Sequence, residues 1–215
     1  KMLLKQLEDA NDPLLAKIDT LILVATPQVG TPQAMGGLLY GYEQGIPKSL
    51  PGPIQLLSNS TAREFGENLP GAYTLLPSRA YFTSVHDANH PLVSFDNSTA
   101  FARERLFYGN VIGNIDEFYN FLLGTEGRTK PTSYNLESAN VLNPNILPSA
   151  IQTHSDIDNW VPPPFIALHQ IAGWGVETLA GIKYQSLPVM NGFGTTEIHT
   201  PELVFDGDGT VVVPS

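Results

Sequence analysis

Two short stretches carry residue types dense enough for chemistry. The first is Asp206-Gly207-Asp208-Gly209-Thr210-Val211. A carboxylate on a tight turn can orient an imidazole, ligate calcium, or only shape the turn, because Asp-Gly pairs accept the backbone angles of tight turns. The calcium pattern asks for Asp or Asn where Thr210 stands and for Gly where Val211 stands, so it fails. The second stretch is His86-Asp87-Ala88-Asn89-His90. On a helix, H-x-x-x-H spacing turns both imidazoles to one metal ion, as in the H-E-x-x-H zinc proteases. Here Pro91 follows at once, Asn89 is a turn former, Asp87 reaches less far than Glu, and no third ligand follows. A surface loop with two ordinary histidines is the plainer reading, and a zinc metalloprotease using His86 and His90 is the rival one.

Nucleophiles are scarce. There is no cysteine, which removes disulfides, thiolate metal sites and thiol catalysis together. No G-x-S-x-G occurs, so the strained turn that exposes a catalytic serine is not found in these residues. All five histidines, His86, His90, His154, His169 and His199, precede Asp208. His169 falls in an apolar strand pattern and reads as a hydrogen-bonded core or strand-end histidine. Trp174, between Gly173 and Gly175, either lines an apolar substrate pocket or packs under a neighbouring element. The aromatics Phe107, Tyr108, Phe118, Tyr119 and Phe121 recur at helical spacing, which favours core over a ligand groove.

These residues need elements to position them. Leu3, Leu4, Leu7 and Ala10 recur at helical spacing, and Asn11-Asp12-Pro13 stops that helix. Ile18 to Ala25 then reads as a strand whose apolar second half suits burial on both faces. Thr26-Pro27-Gln28-Val29-Gly30-Thr31-Pro32 follows as a shaped loop at its carboxyl end, where open α/β sheets place their ligands. From about residue 33 to 164 prolines and glycines come often. Ile54, Leu57, Ala62 and Phe65 form a broken helical face, Ile115, Phe118, Tyr119 and Leu122 a clean one, and no run reads as a central strand. Phe165 to Ala172 reads as a second buried strand ending in Gly173-Trp174-Gly175, and Ile182 to Met190 as a further extended segment. The expected fold is α/β: a partial sheet of parallel strands with a mostly helical cap or lid inserted into it. Core segments span 1–32 and 165–215, and the insertion spans 33–164.

Bulk properties exclude several partners. The 215 residues are 42% hydrophobic and only 15% charged, enough apolar content for a real core and in keeping with an extracellular or membrane-peripheral setting. Eleven basic against 21 acidic residues leave a net charge of -10, which repels nucleic acid. No apolar run approaches the ~18 residues that span a bilayer. Oligomeric state is not written in the sequence.

Three patches in order carry a resemblance to the lecithin:cholesterol acyltransferase-like branch of the α/β-hydrolases. Leu21-Ile22-Leu23-Val24-Ala25-Thr26-Pro27-Gln28-Val29-Gly30-Thr31-Pro32 is similar to that family's strand and T-P-x-x-G-[ST]-P loop, although the family often has His at the place of Gln28. Ala72-Tyr73-Thr74-Leu75-Leu76-Pro77-Ser78 resembles its L-L-P segment. Ile171-Ala172-Gly173-Trp174-Gly175 with Thr178, followed by Gly207-Asp208-Gly209-Thr210-Val211, resembles its G-x-G…T strand end and G-D-G-T-V turn. The resemblance implies a serine ester hydrolase or acyltransferase, acting through an acyl-enzyme on a small hydrophobic ester or lipid, with no cofactor and no metal. Asp208 is the implied catalytic acid, Asp206 is its near competitor, and Trp174 is a candidate substrate-binding residue. Since the family order is Ser, acid, His, the chain reads as an internal fragment, inactive alone, with its serine upstream of Lys1 and its histidine downstream of Ser215. A non-catalytic relative that uses the same pocket for binding is the alternative.

Overall fold

The computed structural model describes residues 1–42, 58–85, 87, 89–189 and 194–215. The opening helix α1 covers Met2–Asp9, followed by the strand β1, Thr20–Val24. Helices α2 (Pro32–Tyr40), α3 (Asn59–Glu67), α4 (Pro70–Tyr73) and α5 (Arg79–Ser84) come next. The short strand β2, Val93–Phe95, precedes α6 (Ala102–Tyr108), α7 (Ile115–Leu122) and α8 (Leu147–Ile157). The chain closes with β3 (Ala167–Ile171), β4 (Thr178–Pro188) and β5 (Thr195–Val204). No described helix is long and apolar enough to cross a membrane.

The strands form two sheets. β1 and β3 pair in parallel, from Thr20 opposite Ala167 to Val24 opposite Ile171. β4 is the middle strand of the other sheet, parallel to β2 and antiparallel to β5, with a register irregularity between Leu179 and Gly181. The parallel pairing of β1 with β3 agrees with the sequence reading, but burial on both faces does not. Ile22, Val24 and Ile171 are 58%, 57% and 55% exposed, and His169 stands in an exposed strand rather than a core. Parallel strands are buried when helices cover both faces. Here Leu21 and Leu23 are only half-covered, and every residue of β3 is exposed. β2 went unread in the sequence because three residues, Val-Ser-Phe, show no usable period.

The core lies between α2, α7 and the mixed sheet. Met35, Leu38, Leu39 and Tyr40 of α2 share one buried cluster with Phe118, Phe121 and Leu122 of α7 and with Phe95, Ile182 and Tyr184 from the strands. α7 begins where Asn114 Oδ1 accepts the amides of Asp116 and Glu117 at 3.1 and 2.9 Å, and two acids in its first turn complement the helix dipole. The read face of Ile115, Phe118 and Leu122 is buried. Of the broken face, Ile54 and Leu57 lie outside the described residues and Ala62 is buried. Phe65 is exposed, because the buried side of α3 is centred on Arg63 and Glu67, with Ala62 at its edge and Phe65 beyond it. Of the aromatics set down as core, Tyr108, Phe118 and Phe121 are buried, whereas Phe107 is exposed.

Two polar devices hold this core to its surroundings. The Arg63 guanidinium, 2% exposed, donates to five main-chain carbonyls: Leu39, Thr132, Ser133, Asn135 and Ser138. It thereby ties α3 and the end of α2 to the 132–138 loop. His199 of β5 stacks on Tyr40 at 3.7 Å, bonds Tyr42 through Nδ1, and reaches the Leu136 carbonyl through Nε2 at 3.0 Å. Burial lowers its pKa from the ordinary 6.5.

Replacing Arg63 with Met removes all five of these hydrogen bonds and lowers stability by about 3 kcal/mol or more, read from urea midpoints. For His199 the folded state binds its proton less tightly than the unfolded chain does. The stability it contributes is therefore complete above pH ~6.5 and declines as pH falls below that value. Denaturation at pH 7.5 and 5.5 shows this decline, and His199→Gln flattens it.

Candidate active site

The strand ends deliver three loops to one rim. β1 stops at Val24, and Ala25 takes a positive φ of 48°, a conformation that costs a non-glycine residue about 1 kcal/mol. The turn is pinned where the Ala25 amide donates to the Ile171 carbonyl at 2.8 Å, one step past the paired ends of β1 and β3. Beyond it the Thr-Pro loop packs on the Leu75-Leu76-Pro77-Ser78 segment. The Thr31 amide donates to Leu75 O at 2.8 Å and the Ser78 amide to Val29 O at 3.0 Å. Gly30 sits at φ 95°, and a Cβ there would stand 2.2 Å from the Leu76 carbonyl oxygen, so only glycine lets the two segments approach.

Thr31 joins this loop to the Asp-Gly turn. Its hydroxyl caps α2 by accepting the Gln33 amide at 3.3 Å and donates to the Thr210 carbonyl at 2.7 Å. The turn is also closed from the β4 side. The Thr178 hydroxyl, fully buried, accepts the Gly209 amide at 2.8 Å and donates to Val176 O at 2.9 Å. Val176 bridges Asp208 in parallel fashion, its amide bonding Gly207 O at 3.0 Å. Gly207 has no room for a side chain, since a Cβ would meet Thr178 Oγ1 at 2.3 Å. Gly173 is likewise required, because its Cβ would fall 2.5 Å from the Asp208 Cβ. The first and third sequence patches thus meet at the Asp208 turn, and the second is joined to them through the Thr-Pro loop.

Asp208 itself is half-buried. Its Oδ1 accepts the amides of Thr210 and Val211 at 2.9 and 2.8 Å. Its Oδ2 accepts no hydrogen bond among the described residues. One oxygen is anchored and the other left to receive a donor, the arrangement a carboxylate needs to orient an imidazole. Asp206 is exposed and its carboxylate accepts no hydrogen bond from the described residues, so the geometry distinguishes the two acids.

The remaining sequence candidates fall elsewhere. Trp174 is 78% exposed beside the turn rather than packed under a neighbouring element. The Gln28 side chain folds back onto Thr26, while its amide donates to the Ser215 carbonyl at 2.9 Å. His86 lies outside the described residues. The His90 amide donates to the Asp87 carbonyl at 3.0 Å, and the two residues form a bridge. No group of three or more metal-ligating side chains gathers among the described residues. No described histidine hydrogen-bonds Asp208.

One constellation escaped the sequence reading. On α8, His154 Nδ1 pairs with Asp158 Oδ1 at 2.8 Å, and Ser78 Oγ donates to Asp158 Oδ2 at 2.5 Å. Serine, aspartate and histidine are all present, but the serine bonds the acid instead of the imidazole, so nothing takes its proton for attack. The i,i+4 spacing of His154 and Asp158 was a legible signal. The partner Ser78 was not, being brought in by the fold. Because the Ser78 amide also holds Val29, this cluster braces the Thr-Pro loop from behind.

Against family models, residues 2–215 match the one described as Lecithin:cholesterol acyltransferase. No curated protein and no solved structure matches the chain.

Thr178→Val removes the acceptor of the Gly209 amide while keeping the side-chain shape. The expected cost is about 1–3 kcal/mol. Amide exchange at Gly209, Thr210 and Val211 speeds up more than exchange in α7, which separates a loosened turn from a weakened core.

Proposed function

Since the chain belongs to the lecithin:cholesterol acyltransferase family, an α/β-hydrolase branch of lipid acyltransferase and esterase type, we propose that Asp208 is the acid of a Ser–His–Asp triad. The reaction is hydrolysis or transfer of the acyl group of a lipid-like or other hydrophobic ester. A serine hydroxyl attacks the ester carbonyl while histidine takes its proton. The alcohol leaves with that proton, and water or an acceptor alcohol then releases the acyl group from the serine. Asp208 holds the imidazole in the tautomer that accepts the serine proton and stabilises the imidazolium.

The observation that carries this reading is the divided carboxylate of Asp208. Oδ1 is fixed by two main-chain amides, Oδ2 accepts no hydrogen bond among the described residues, and the turn is locked by Thr31 and Thr178 to the loops that end β1 and precede β4. In this scheme 1–32 and 165–215 are core segments of the hydrolase sheet, and 33–164 forms the cap that screens the site from water. Trp174, exposed on the rim, contacts the substrate. The sequence holds no G-x-S-x-G and no histidine after Asp208, so residues 1–215 alone lack nucleophile and base.

The 215-residue chain is expected to hydrolyse p-nitrophenyl esters no faster than buffer. In a polypeptide that joins it to a G-x-S-x-G serine and a later histidine, Asp208→Asn lowers kcat by about 10⁴-fold, the loss seen when an orienting acid is neutralised in a serine hydrolase. Asp206→Asn changes kcat by less than about threefold. Equal losses at both positions, or none at Asp208, sink the assignment and leave the non-catalytic binder.

A further inference from the structure

A cavity of about 400 Å³ opens between α6, the 126–139 loop and β5. It shares no lining residue with the Asp208 rim or with the loops that lock it. Its inner walls are aromatic and buried: Phe95, Phe101, Phe121 and Tyr184. Its charged lining sets four glutamates, Glu104, Glu126, Glu137 and Glu197, against two arginines, Arg103 and Arg128. His199, also in the lining, adds no charge at neutral pH, since burial lowers its pKa from 6.5. The balance of charge around the cavity is therefore acidic.

Two of these acids are left unsatisfied. Glu126 is only 1% exposed. Its Oε2 accepts the Tyr108 hydroxyl at 2.6 Å, but its Oε1 is buried without a hydrogen bond among the described residues. Arg128 Nη1 stands 3.3 Å from that oxygen, close enough for an ion pair but out of line for a hydrogen bond. The guanidinium is committed elsewhere: it lies 4.4 Å over the Phe121 ring and donates through Nη2 to the Phe121 carbonyl. Its Nε lacks an acceptor, yet an anion drawn to it would meet the surrounding acidic excess. Glu104 Oε2, on α6, is likewise buried without a donor. A carboxylate oxygen so placed has lost water and gained nothing in exchange. A ligand that restores the loss at both oxygens carries N–H donors and a positive charge. The walls favour the same charge, because aromatic faces attract cations within about 6 Å of the ring centre. Metal-ligating side chains do not gather in threes among the described residues, so the cation that fits is organic.

We propose that this cavity binds a small protonated primary amine, whose N–H groups meet Glu104 Oε2 and Glu126 Oε1 and whose charge rests against the aromatic walls. An ammonium group offers several donors at one point, enough to supply both oxygens. A quaternary ammonium has the same charge and no N–H, so it satisfies the walls and leaves the acids unmet. Glu137 and Glu197 are exposed, and they draw the cation toward the entrance without holding it, because water and salt screen exposed charges. Catalysis plays no part in this binding, so it stands or falls apart from the triad assignment.

The test is an amide NMR titration of the 215-residue chain at neutral pH and constant ionic strength. Its three probes are butylammonium, butyltrimethylammonium and potassium chlorides. Butylammonium is expected to shift the amides of Gly127, Arg128 and Tyr184 saturably, and to bind about tenfold or more tightly than its trimethyl counterpart, the margin that charge-assisted hydrogen bonds supply. Potassium leaves those amides in place. Glu104→Gln removes one of the two charges and weakens butylammonium about tenfold while the spectrum of α7 stays native. Absence of a saturable shift, equal affinity for the trimethyl cation, a matching shift with potassium, or a folded Glu104→Gln variant that binds as before overturns the proposal. If Glu104→Gln does not fold, the comparison of the three cations decides alone.

Discussion

The Thr178 hydroxyl is the contact on which the rim depends. It is buried, it accepts one amide of the acid turn, and it gives its proton to the carbonyl that precedes β4. Both of its bonds are made by a buried hydroxyl, where an unmet polar group costs more than a met one gains. That asymmetry holds the turn in one position. Gly207 has to be glycine because Thr178 already occupies the space a Cβ would need, and Gly173 has to be glycine because Asp208 does. The small residues around the acid are therefore consequences of one threonine and one aspartate being where they are.

The molecule divides its labour between packing and hydrogen bonding. Burial is concentrated in α2, α7 and the mixed sheet, where aromatic rings from Phe95, Phe121 and Tyr184 meet at centroid separations between 5.3 and 6.0 Å. Around the Asp-Gly turn apolar cover is thinner, and position is set by Thr31, Thr178 and the amides that bond Oδ1 of Asp208. A rim built this way can be accurate without being deep, and it leaves Oδ2 of Asp208 without a hydrogen bond from the described residues. The Ser78–Asp158–His154 cluster extends the same logic to the back of the Thr-Pro loop, where a brace of polar groups stands in for a packed layer.

The legible parts of the sequence were those with a period or a named motif. The opening helix, the strand before the Thr-Pro loop, its parallel partner and the clean face of α7 all follow from spacing. Gly173 and Gly207 leave no room for a Cβ, and Gly175 and Gly209 hold φ values of 89° and 96° that other residues rarely adopt. What failed was burial. Ile22, Val24 and Ile171 look like interior residues because their identity is apolar, but exposure depends on which elements cover them, and spacing within a strand carries no such information. β2 was missed for a related reason: three residues become a strand only because β4 lies alongside. The Ser78 link to Asp158 joins residues 80 positions apart, which no local pattern announces.

The β1–β3 pair acts as an alignment device. Parallel strands bring their carboxyl ends to the same side. The register from Thr20–Ala167 to Val24–Ile171 places both ends level, and the Ala25 bond to Ile171 fixes the step at which each chain departs. From that common edge one strand feeds the loop that presents Thr31 and the other feeds the glycines against which Asp208 rests. A slip of one residue would reverse which side chains face each side of the pair and shift one loop by roughly 3.3 Å along the strand. Such a shift exceeds the tolerance of the bond from the Thr31 hydroxyl to the Thr210 carbonyl, which spans 2.7 Å. The bond can form in one register alone, and so the contact that closes the rim also reports that the two strands beneath it are correctly paired.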